Sequence, residues 1–469
     1  MITSRLARSA SVVALVALVG SCGSNLTPVA DPATSSSAPP VTVTADSGLG
    51  WINGEPDWNA ASEGEDVTKM YSAAAPGPAE PALAVDAGTE AVVAAPRDRP
   101  LPDMLPPTPE QQPGLRAGSV DDNADFADFL TYLARIHDLG ITTRDFDPTG
   151  RIVVTVSGTS GLPVAGAQVV VSAAGAEIAS LRTTADGTAR FLPALYGAGQ
   201  VSEFTFTTGG VSATAAPGST LALQAAAAGG APSPVALDVM FLLDATGSMG
   251  DEIGRLKATI DTVAAEVDGF DSQPDVRFAM TLYRDQGDAF VTSTFDFTAD
   301  IGAFRAALND VVAEGGGDYP EALEEGLASA LKEPSWRDPA STLQLVFLVA
   351  DAPPHVDRQV PVAYPAAIVD AVARGIKVFP IASSESDDQA EAAFREIAVA
   401  TGARFVFLSY GASGAATGSS TDIASTDYEE LPLDALVVRL IAEELAALSG
   451  TPVEVPPTTA PPVTNPPGQ

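Results

Sequence analysis

The fold of this chain is decided by the stretch Val235-Ala-Leu-Asp-Val-Met-Phe-Leu-Leu243, followed directly by Asp244-Ala-Thr-Gly-Ser248. An apolar run of this length predicts a buried strand. The carboxylate and the two hydroxyls after it place three hard oxygen donors on one side of a tight loop, because Gly247 lets the backbone turn sharply. Such donors suit Mg²⁺, Mn²⁺ or Ca²⁺ rather than Zn²⁺. The alternative is that Asp244 or Thr246 caps the helix that follows.

Two further segments carry related chemistry. The first, Glu314-Gly-Gly-Gly-Asp-Tyr-Pro-Glu321, is a glycine loop with carboxylates, and the second, Leu345-Val-Phe-Leu-Val-Ala-Asp351-Ala-Pro-Pro-His355, is a strand that ends on an aspartate. With three such motifs in this order, the chain resembles a von Willebrand factor A (vWA) domain with a metal-ion-dependent adhesion site, in the form found in many secreted bacterial proteins. The resemblance covers roughly Pro234 to Leu448. It implies that the following residues bind the metal, some of them through water: Asp244, Thr246, Ser248, Asp318 and Asp351.

Hydrophobic patterning predicts the same fold class. Apolar or mixed runs predict strands at 235–243, 277–283, 342–350, 376–382 and 404–409. Between them, apolar residues recur at helical spacing, as in Ile253, Leu256 and Ile260. This alternation of strands and helices predicts an α/β fold with a doubly wound, mostly parallel sheet.

The predicted sheet would bring the motifs together. In doubly wound sheets, ligands bind outside the carboxyl ends of the strands, where the strand order reverses. The resemblance implies that the strands ending at Asp244 and Asp351 lie side by side at that point. Integrin-type members supply a neutral threonine where this chain has Asp318. An added carboxylate should tighten metal binding and weaken the pull on an acidic ligand group, which leaves open a purely structural metal.

Several other polar residues lie near these motifs. His355 is predicted at the rim of the site, where it fixes its neighbours or meets a ligand. Arg284 and Asp285, with Asp288, are predicted to form an Arg/Asp pair that ties a loop, and a contact surface is the alternative. No catalytic residue is predicted, because the chain has two histidines and one cysteine, from which no Ser/His/Asp or Cys/His arrangement can be assembled.

The start of the chain predicts export and lipid attachment. Arg5 and Arg8 precede an apolar stretch from Val12 to Val19, and Gly-Ser-Cys22 follows. This arrangement predicts a signal peptide over 1–21 and resembles the lipobox of bacterial lipoproteins, which implies a lipid-bearing Cys22 and an outward-facing anchor on the bacterial cell membrane. An ordinary signal peptide with an incidental cysteine is the alternative. Because Cys22 is the only cysteine, intramolecular disulfides and cysteine zinc sites are excluded.

Composition divides the rest of the chain. The Ala/Pro/Ser-rich residues 22–118 predict a disordered tether, and the Pro/Thr-rich residues 450–469 predict a disordered tail. Residues 119–225 predict a short helix and a small antiparallel β-sandwich, from strands separated by glycine and Asp-Gly turns. The elements Gly161–Val169 and Asp186–Phe191 resemble the prealbumin-like or carboxypeptidase-regulatory-like family. The vWA domain is predicted over 234–449.

Charge bears on the partners. The net charge of −36 argues against a nucleic-acid partner and favours divalent cations and basic protein surfaces. We therefore expect a lipid-anchored, metal-dependent protein-binding module of the bacterial cell surface, active in adhesion or envelope assembly. A passive envelope scaffold with a structural metal is the main alternative. A metal-dependent hydrolase is disfavoured, since no general base is evident beside the metal.

Overall fold

The computed structural model describes residues 51–52, 116–270, 272–383, 386–409 and 431–450. The predicted signal peptide over 1–21, Cys22 and most of the predicted tether over 22–118 lie outside these ranges, as does all but the first residue of the predicted tail over 450–469. Within the described ranges, no helix combines the length and the apolar character that crossing a membrane requires.

The strands, in chain order, are β1 (Trp51–Ile52), β2 (Arg116–Val120), β3 (Ile152–Ser157), β4 (Gln168–Ala173), β5 (Ala176–Arg182), β6 (Thr188–Phe191), β7 (Phe204–Thr208), β8 (Val211–Ala215), β9 (Thr220–Gln224), β10 (Ala236–Asp244), β11 (Asp275–Tyr283), β12 (Thr292–Thr298), β13 (Thr342–Ala350), β14 (Lys377–Ala382), β15 (Phe405–Ser409) and β16 (Leu431–Pro432). The α-helices are α1 (Phe126–Asp138), α2 (Gly250–Asp268), α3 (Ile301–Asn309), α4 (Leu323–Lys332), α5 (Tyr364–Arg374), α6 (Asp388–Thr401) and α7 (Leu433–Ala447).

A nine-stranded sheet has the order β1-β12-β11-β10-β13-β14-β15-β2-β16. Its five central strands, from β11 to β15 in that order, are parallel neighbours. The predicted mostly parallel α/β sheet is therefore confirmed. The outer strands pair antiparallel.

Side chains of the central strands alternate between two layers of helices. On β10, Val239, Phe241 and Leu243 share a core with α2, α3 and α7, whereas Met240 and Leu242 share a core with α4, α5 and α6. All five side chains are at most 2% exposed. Burial of each contributes about 1.5–3 kcal/mol. Packing on both faces thus fixes β10 and, with it, the position of Asp244 at its end.

Residues 152–224 form a sandwich of two sheets, with strand orders β6-β3-β9 and β5-β4-β7-β8. Inward side chains alternate along the strands, as Val169 and Val171 do on β4. The predicted sandwich is supported in its two-sheet architecture, but β3 and β9 are parallel, so the prediction of a wholly antiparallel sandwich was wrong. The sandwich core is continuous with the core beneath α5 and α6.

Two pieces of the predicted tether are strands of the large sheet. Trp51–Ile52 pairs with β12, and Arg116–Val120 pairs with β15. The predicted boundary after residue 118 therefore lies inside β2. The sequence Arg-Ala-Gly-Ser-Val has no apolar run to predict a strand. Its extended conformation depends instead on pairing with β15, which lies far along the chain.

Candidate metal centre

The carboxyl ends of β10 and β13 lie side by side. The two strands are parallel neighbours, with Leu243 opposite Val349. Asp244 and Asp351, at the ends of these strands, are 0% and 3% exposed. Burial and the nearby Asp351 carboxylate raise the pKa of Asp244 to about 7. Two of the predicted ligands are therefore close enough to repel each other when both are ionised.

The loop after β10 turns its side-chain oxygens toward one another. Asp244 Oδ1 accepts hydrogen bonds from the backbone N of Thr246 at 2.9 Å and from its hydroxyl at 2.6 Å. The hydroxyls of Thr246 and Ser248 are 3.4 Å apart. Thr246 precedes the short 3-10 turn Gly247–Met249, and its side chain makes no capping bond to the described residues there. The alternative role of Thr246 as a helix cap is therefore wrong.

The second oxygen of Asp244 is the strongest sign of a cation. Oδ2 is buried and accepts no hydrogen bond from the part of the chain that the structure describes. The Tyr283 hydroxyl lies nearby and favours the ionised form of the carboxylate, but it does not reach hydrogen-bond geometry. A buried, unsatisfied carboxylate oxygen is costly unless a positive charge compensates it. Clustered carboxylate and hydroxyl oxygens fit Mg²⁺, Mn²⁺ or Ca²⁺.

Glu321 belongs to this group of carboxylates, although the sequence alone gave it no role. It is 4% exposed, and its Oε2 has no hydrogen-bond partner within the described ranges. Burial, and then the charges of Asp244, Asp285, Asp288 and Asp351, raise the pKa of Glu321 to about 9. The available signal was the Asp-x-Pro-Glu ending of the glycine loop.

Glycine residues let the glycine loop approach the loop after β10 closely. Gly315 and Gly316 have φ angles of 86° and 74°, in the left-handed region that favours glycine. A Cβ on Gly316 would lie 2.7 Å from Glu321 Oε1 and 3.2 Å from Thr246 Cβ. Gly247 N donates to Gly315 O at 3.1 Å, and Glu321 N donates to Pro353 O at 3.0 Å. Backbone hydrogen bonds thus join all three loops.

Asp318 lies in a neighbouring group. One carboxylate oxygen each of Asp318 and Asp285 and one ring nitrogen of His355 lie within 4.8 Å of one another. Asp285 and His355 are 5% and 4% exposed, whereas Asp318 is exposed. Among the carboxylates of the glycine loop, Glu321 therefore lies with Asp244, and Asp318 lies with His355.

Charged side chains form hydrogen bonds with the backbone of the loop after β10 and of the glycine loop. Arg284 donates to the carbonyl oxygens of Ala245 at 3.1 Å and Val312 at 2.8 Å. Asp288 accepts a hydrogen bond from Gly316 N at 3.0 Å. Arg284 and Asp288 thus tie this loop, but through backbone groups, whereas Asp285 pairs with Arg358 at 3.0 Å rather than with Arg284 as predicted.

Arg144, from the segment between α1 and β3, holds the loop after β13. Its Nε and Nη2 donate to the two carboxylate oxygens of Glu324 at 2.9 and 2.6 Å. Nη2 also donates to the carbonyl oxygens of His355 at 2.7 Å and Arg358 at 2.9 Å. No sequence pattern around Arg144 predicted this role, because its partners lie far along the chain.

Exposed side chains surround the three loops. Ser248 and Asp318 are exposed, and the apolar Val312 and the aromatic Tyr319 are 55% and 43% exposed. The Tyr319 hydroxyl donates to Asp351 O at 3.2 Å and accepts from Asp387 N at 2.9 Å. An ion bound here could take an oxygen ligand from a partner that also contacts these side chains.

Comparison with known proteins identifies the same segment. The family described as von Willebrand factor A domain matches residues 238–409. Alpha-protein kinase vwkA of Dictyostelium discoideum is 33% identical over 120 residues, which are 25% of this chain and 19% of that protein. The human von Willebrand factor A domain-containing protein 7 is 32% identical over 119 residues, which are 25% of this chain and 12% of that protein. The chain thus spans less than a fifth of the length of these relatives.

Likeness to solved structures is weaker. A crystal form of proximal thread matrix protein 1 from the mussel byssus is 17% identical, with a TM-score of 0.29, over 45% of this chain and 46% of that chain. The family match, the three motifs and the sheet order agree on one segment. Residues 238–409 are therefore a von Willebrand factor A domain.

Proposed function

We propose that this chain is a lipid-anchored module of the bacterial cell surface whose vWA domain binds a protein partner through a divalent cation. The observation that carries the proposal is the buried Asp244 carboxylate, whose Oδ2 has no hydrogen-bond partner among the described residues and which lies beside Asp351. A bound cation would be the partner that Asp244 Oδ2 lacks, and its positive charge would offset the repulsion between the two carboxylates.

The proposed primary site consists of Asp244, Thr246, Ser248, Asp351 and Glu321. All its donors are oxygens, which favours Mg²⁺, Mn²⁺ or Ca²⁺. The set differs from the predicted one in a single position. Glu321 takes the place of Asp318, because the Asp318 carboxylate lies within 4.8 Å of Asp285 and His355.

A second candidate function, a structural metal in a passive envelope scaffold, is favoured by the charge of the primary site. Asp244, Glu321 and Asp351 together carry one negative charge more than a divalent ion neutralises. Such a site binds its metal tightly and attracts an acidic partner group weakly. The exposed Val312 and Tyr319 beside the glycine loop favour binding instead, since they offer apolar contact area next to the ion.

We propose no enzymatic step for this chain. The kinase among the relatives matches over only 19% of its length, so its activity is not transferred to this protein. The carboxylates of the primary site are placed to hold an ion, and binding uses that arrangement directly.

Thermal melts of the full chain in chelator and in millimolar Mg²⁺, Mn²⁺ or Ca²⁺ test the primary site. An ion at a hundredfold excess over Kd stabilises the native state by about 2.7 kcal/mol, which corresponds to a Tm rise of about 5–10 °C for a domain of this size. We expect Asp244→Ala to lose most of the rise in Mg²⁺ and in Ca²⁺. Asp310→Ala, an exposed aspartate at the end of α3, should keep it. A wild-type Tm that no cation changes would refute the site.

Capture from bacterial envelope extracts separates binding from scaffolding. A partner retained by the wild-type chain, and released both by chelator and by Asp244→Ala, supports the binding function. A cation-dependent Tm together with chelator-insensitive capture supports a structural metal. Palmitate labelling of the wild-type chain and Cys22→Ser in a bacterial host tests the anchor independently.

A further inference from the structure

We propose that Asp285, Asp318 and His355 form a second cation site, suited to Mn²⁺ or Zn²⁺, beside the primary site. The three side chains present two carboxylates and one imidazole nitrogen within 4.8 Å of one another. None of them belongs to the proposed primary site. The second site therefore goes beyond the proposed function, and the two sites can be tested separately.

The orientation of His355 is the first argument. Its Nδ1 lies 3.0 Å from Asp357 Oδ1. Its Nε2 is buried, makes no hydrogen bond with any residue that the structure describes, and lies 3.2 Å from Asp285 Oδ1. A neutral ring that donates from Nδ1 to Asp357 turns the lone pair of Nε2 toward the carboxylates, where lone pairs repel unless a positive charge lies between them. Metal-binding histidines are oriented in this way, by a carboxylate on the other ring nitrogen.

The backbone around His355 is the second argument. Pro353 and Pro354 precede it and restrict the chain. The His355 carbonyl oxygen accepts a hydrogen bond from Arg144 Nη2 at 2.7 Å, and Pro353 O accepts one from Glu321 N at 3.0 Å. The backbone that carries the imidazole is thus held at two carbonyl oxygens. Such preorganisation is what a metal-binding side chain requires.

Asp318 supplies the adjustable ligand. Metal–ligand bonds of about 2.1 Å hold neighbouring ligand atoms about 3.4 Å apart in a tetrahedral site, so the longest separation in the group, at most 4.8 Å, must shrink by up to about 1.4 Å. Asp318 is exposed and follows three glycines, so it can move inward at little cost. The two buried ligands, Asp285 and His355, remain fixed.

The competing explanation is an ion-pair network without metal. Arg358 Nη2 lies 3.0 Å from Asp285 Oδ1 and 3.5 Å from Glu325 Oε1, so its single charge is shared between two carboxylates. Asp318 and the buried Glu321, whose pKa is raised in part by the charge of Asp285, add further negative charge. In this explanation an imidazolium on His355 supplies the positive charge that a metal would otherwise bring. The two explanations differ in whether an ion binds through an imidazole nitrogen.

The donor set predicts the class of ion. One imidazole nitrogen with two carboxylates suits Mn²⁺ or Zn²⁺, whereas Mg²⁺ and Ca²⁺ prefer oxygen donors alone. We therefore expect Mg²⁺ and Ca²⁺ to fill the primary site only. Mn²⁺ should fill both sites.

The test is a Mn²⁺ titration of the full chain after removal of metal with chelator. Bound Mn²⁺ is counted by elemental analysis, and pulsed electron paramagnetic resonance detects coupling to an imidazole nitrogen. We expect two ions and nitrogen coupling in the wild type. His355→Ala should bind one ion without nitrogen coupling, and Asp244→Ala should bind one ion with it. His137→Ala, which changes the other histidine of the chain, exposed on α1, should behave as wild type.

Asp318→Asn covers the case in which His355→Ala fails to fold, because Asp318 is exposed. It should weaken the nitrogen-coupled ion at least tenfold and leave the other ion unchanged. Two ions bound by His355→Ala, or Mn²⁺ in the wild type without nitrogen coupling, would overturn the second site. A single uncoupled ion that Asp244→Ala removes would overturn the second site and leave the primary site standing. If the wild type shows nitrogen coupling and Asp244→Ala does not change the number of bound ions, the second site stands and the primary site is overturned.

Discussion

Replacement of Gly316 by alanine tests whether the close approach of the glycine loop to the first loop builds the primary site. Gly316 has a φ of 74°, which costs an alanine about 1–2 kcal/mol. The new Cβ would lie 2.7 Å from Glu321 Oε1 and 3.2 Å from Thr246 Cβ. Both neighbours belong to the proposed primary site, so the substitution must displace at least one metal ligand or the loop that carries it.

We expect Gly316→Ala to lower Tm in chelator by about 2–8 °C, because 1 kcal/mol corresponds to about 2–4 °C for a domain of this size. The variant should also lose most of the cation-dependent Tm rise, since Glu321 and Thr246 no longer meet in the same geometry. The two effects have separate causes. The first arises from the backbone, and the second arises from the displaced ligands.

Two other glycines separate these causes. At Gly317, the residue next along the chain, a Cβ would meet no atom within 4 Å, and its φ is outside the positive range of the neighbouring glycines. Gly317→Ala should therefore be neutral or stabilising by up to about 1 kcal/mol, with the full cation response. Gly287 has a φ of 100° and open space around its Cβ position, so Gly287→Ala should lower Tm and keep the response.

Melts of the three variants in chelator and in saturating Mg²⁺ provide the comparison. If Gly316→Ala keeps the full cation-dependent rise, the primary site does not require Glu321 and Thr246 to pack against a residue without a Cβ, and the reasoning is refuted. Equal loss of the rise in Gly287→Ala would assign the effect to general destabilisation rather than to the primary site.

Two further predictions concern pH and Arg144. In chelator, Tm should fall as pH rises from about 4 to about 9. In the native state the pKa values of Asp244 and Glu321 are raised to about 7 and about 9, so the native state holds protons more tightly than the unfolded chain. That stabilisation is lost as pH passes the native pKa values. Saturating Mg²⁺ should flatten this slope in melts at pH 5, 7 and 9, and a slope that Mg²⁺ leaves unchanged would count against the primary site. Arg144→Ala should lower the free energy of unfolding in urea by about 3–5 kcal/mol, because Glu324, 0% exposed, loses its two-pronged partner. Arg144→Lys should recover only part of the loss, and a loss below about 1 kcal/mol would contradict a buried ion pair.

The central strands could be predicted because they are buried on both faces. β10 and β13 are near-continuous apolar runs, and the predicted bounds 235–243 and 342–350 agree with the structure to within one residue. β12 could not be predicted in this way. Its sequence Thr-Ser-Thr-Phe-Asp-Phe-Thr buries polar side chains through hydrogen bonds, such as the 3.0 Å contact between the hydroxyls of Thr294 and Thr281. Hydropathy does not reveal such a strand.

Only some residues of the candidate site could be predicted from the sequence. Asp244 and Thr246 could be predicted from the sequence because their contacts form within one turn of the chain. The sequence could not distinguish Glu321 from Asp318, since both are carboxylates of one glycine loop. The left-handed Gly315 and Gly316 allow the close packing that brings Glu321 beside Thr246, and that packing depends on residues distant in sequence.

The physical unit around the primary site is larger than the matched segment 238–409. Arg395 of α6 is 8% exposed and donates to both carboxylate oxygens of Asp122, at 2.9 and 2.5 Å. Glu324 depends on Arg144 in the same way, and β15 has β2 as its outer neighbour. All three partners precede residue 238. A buried charge that loses its partner destabilises the fold by several kcal/mol, and an uncovered strand edge invites unwanted pairing. The residues before the vWA segment are therefore part of the scaffold that positions the loops of the proposed primary site.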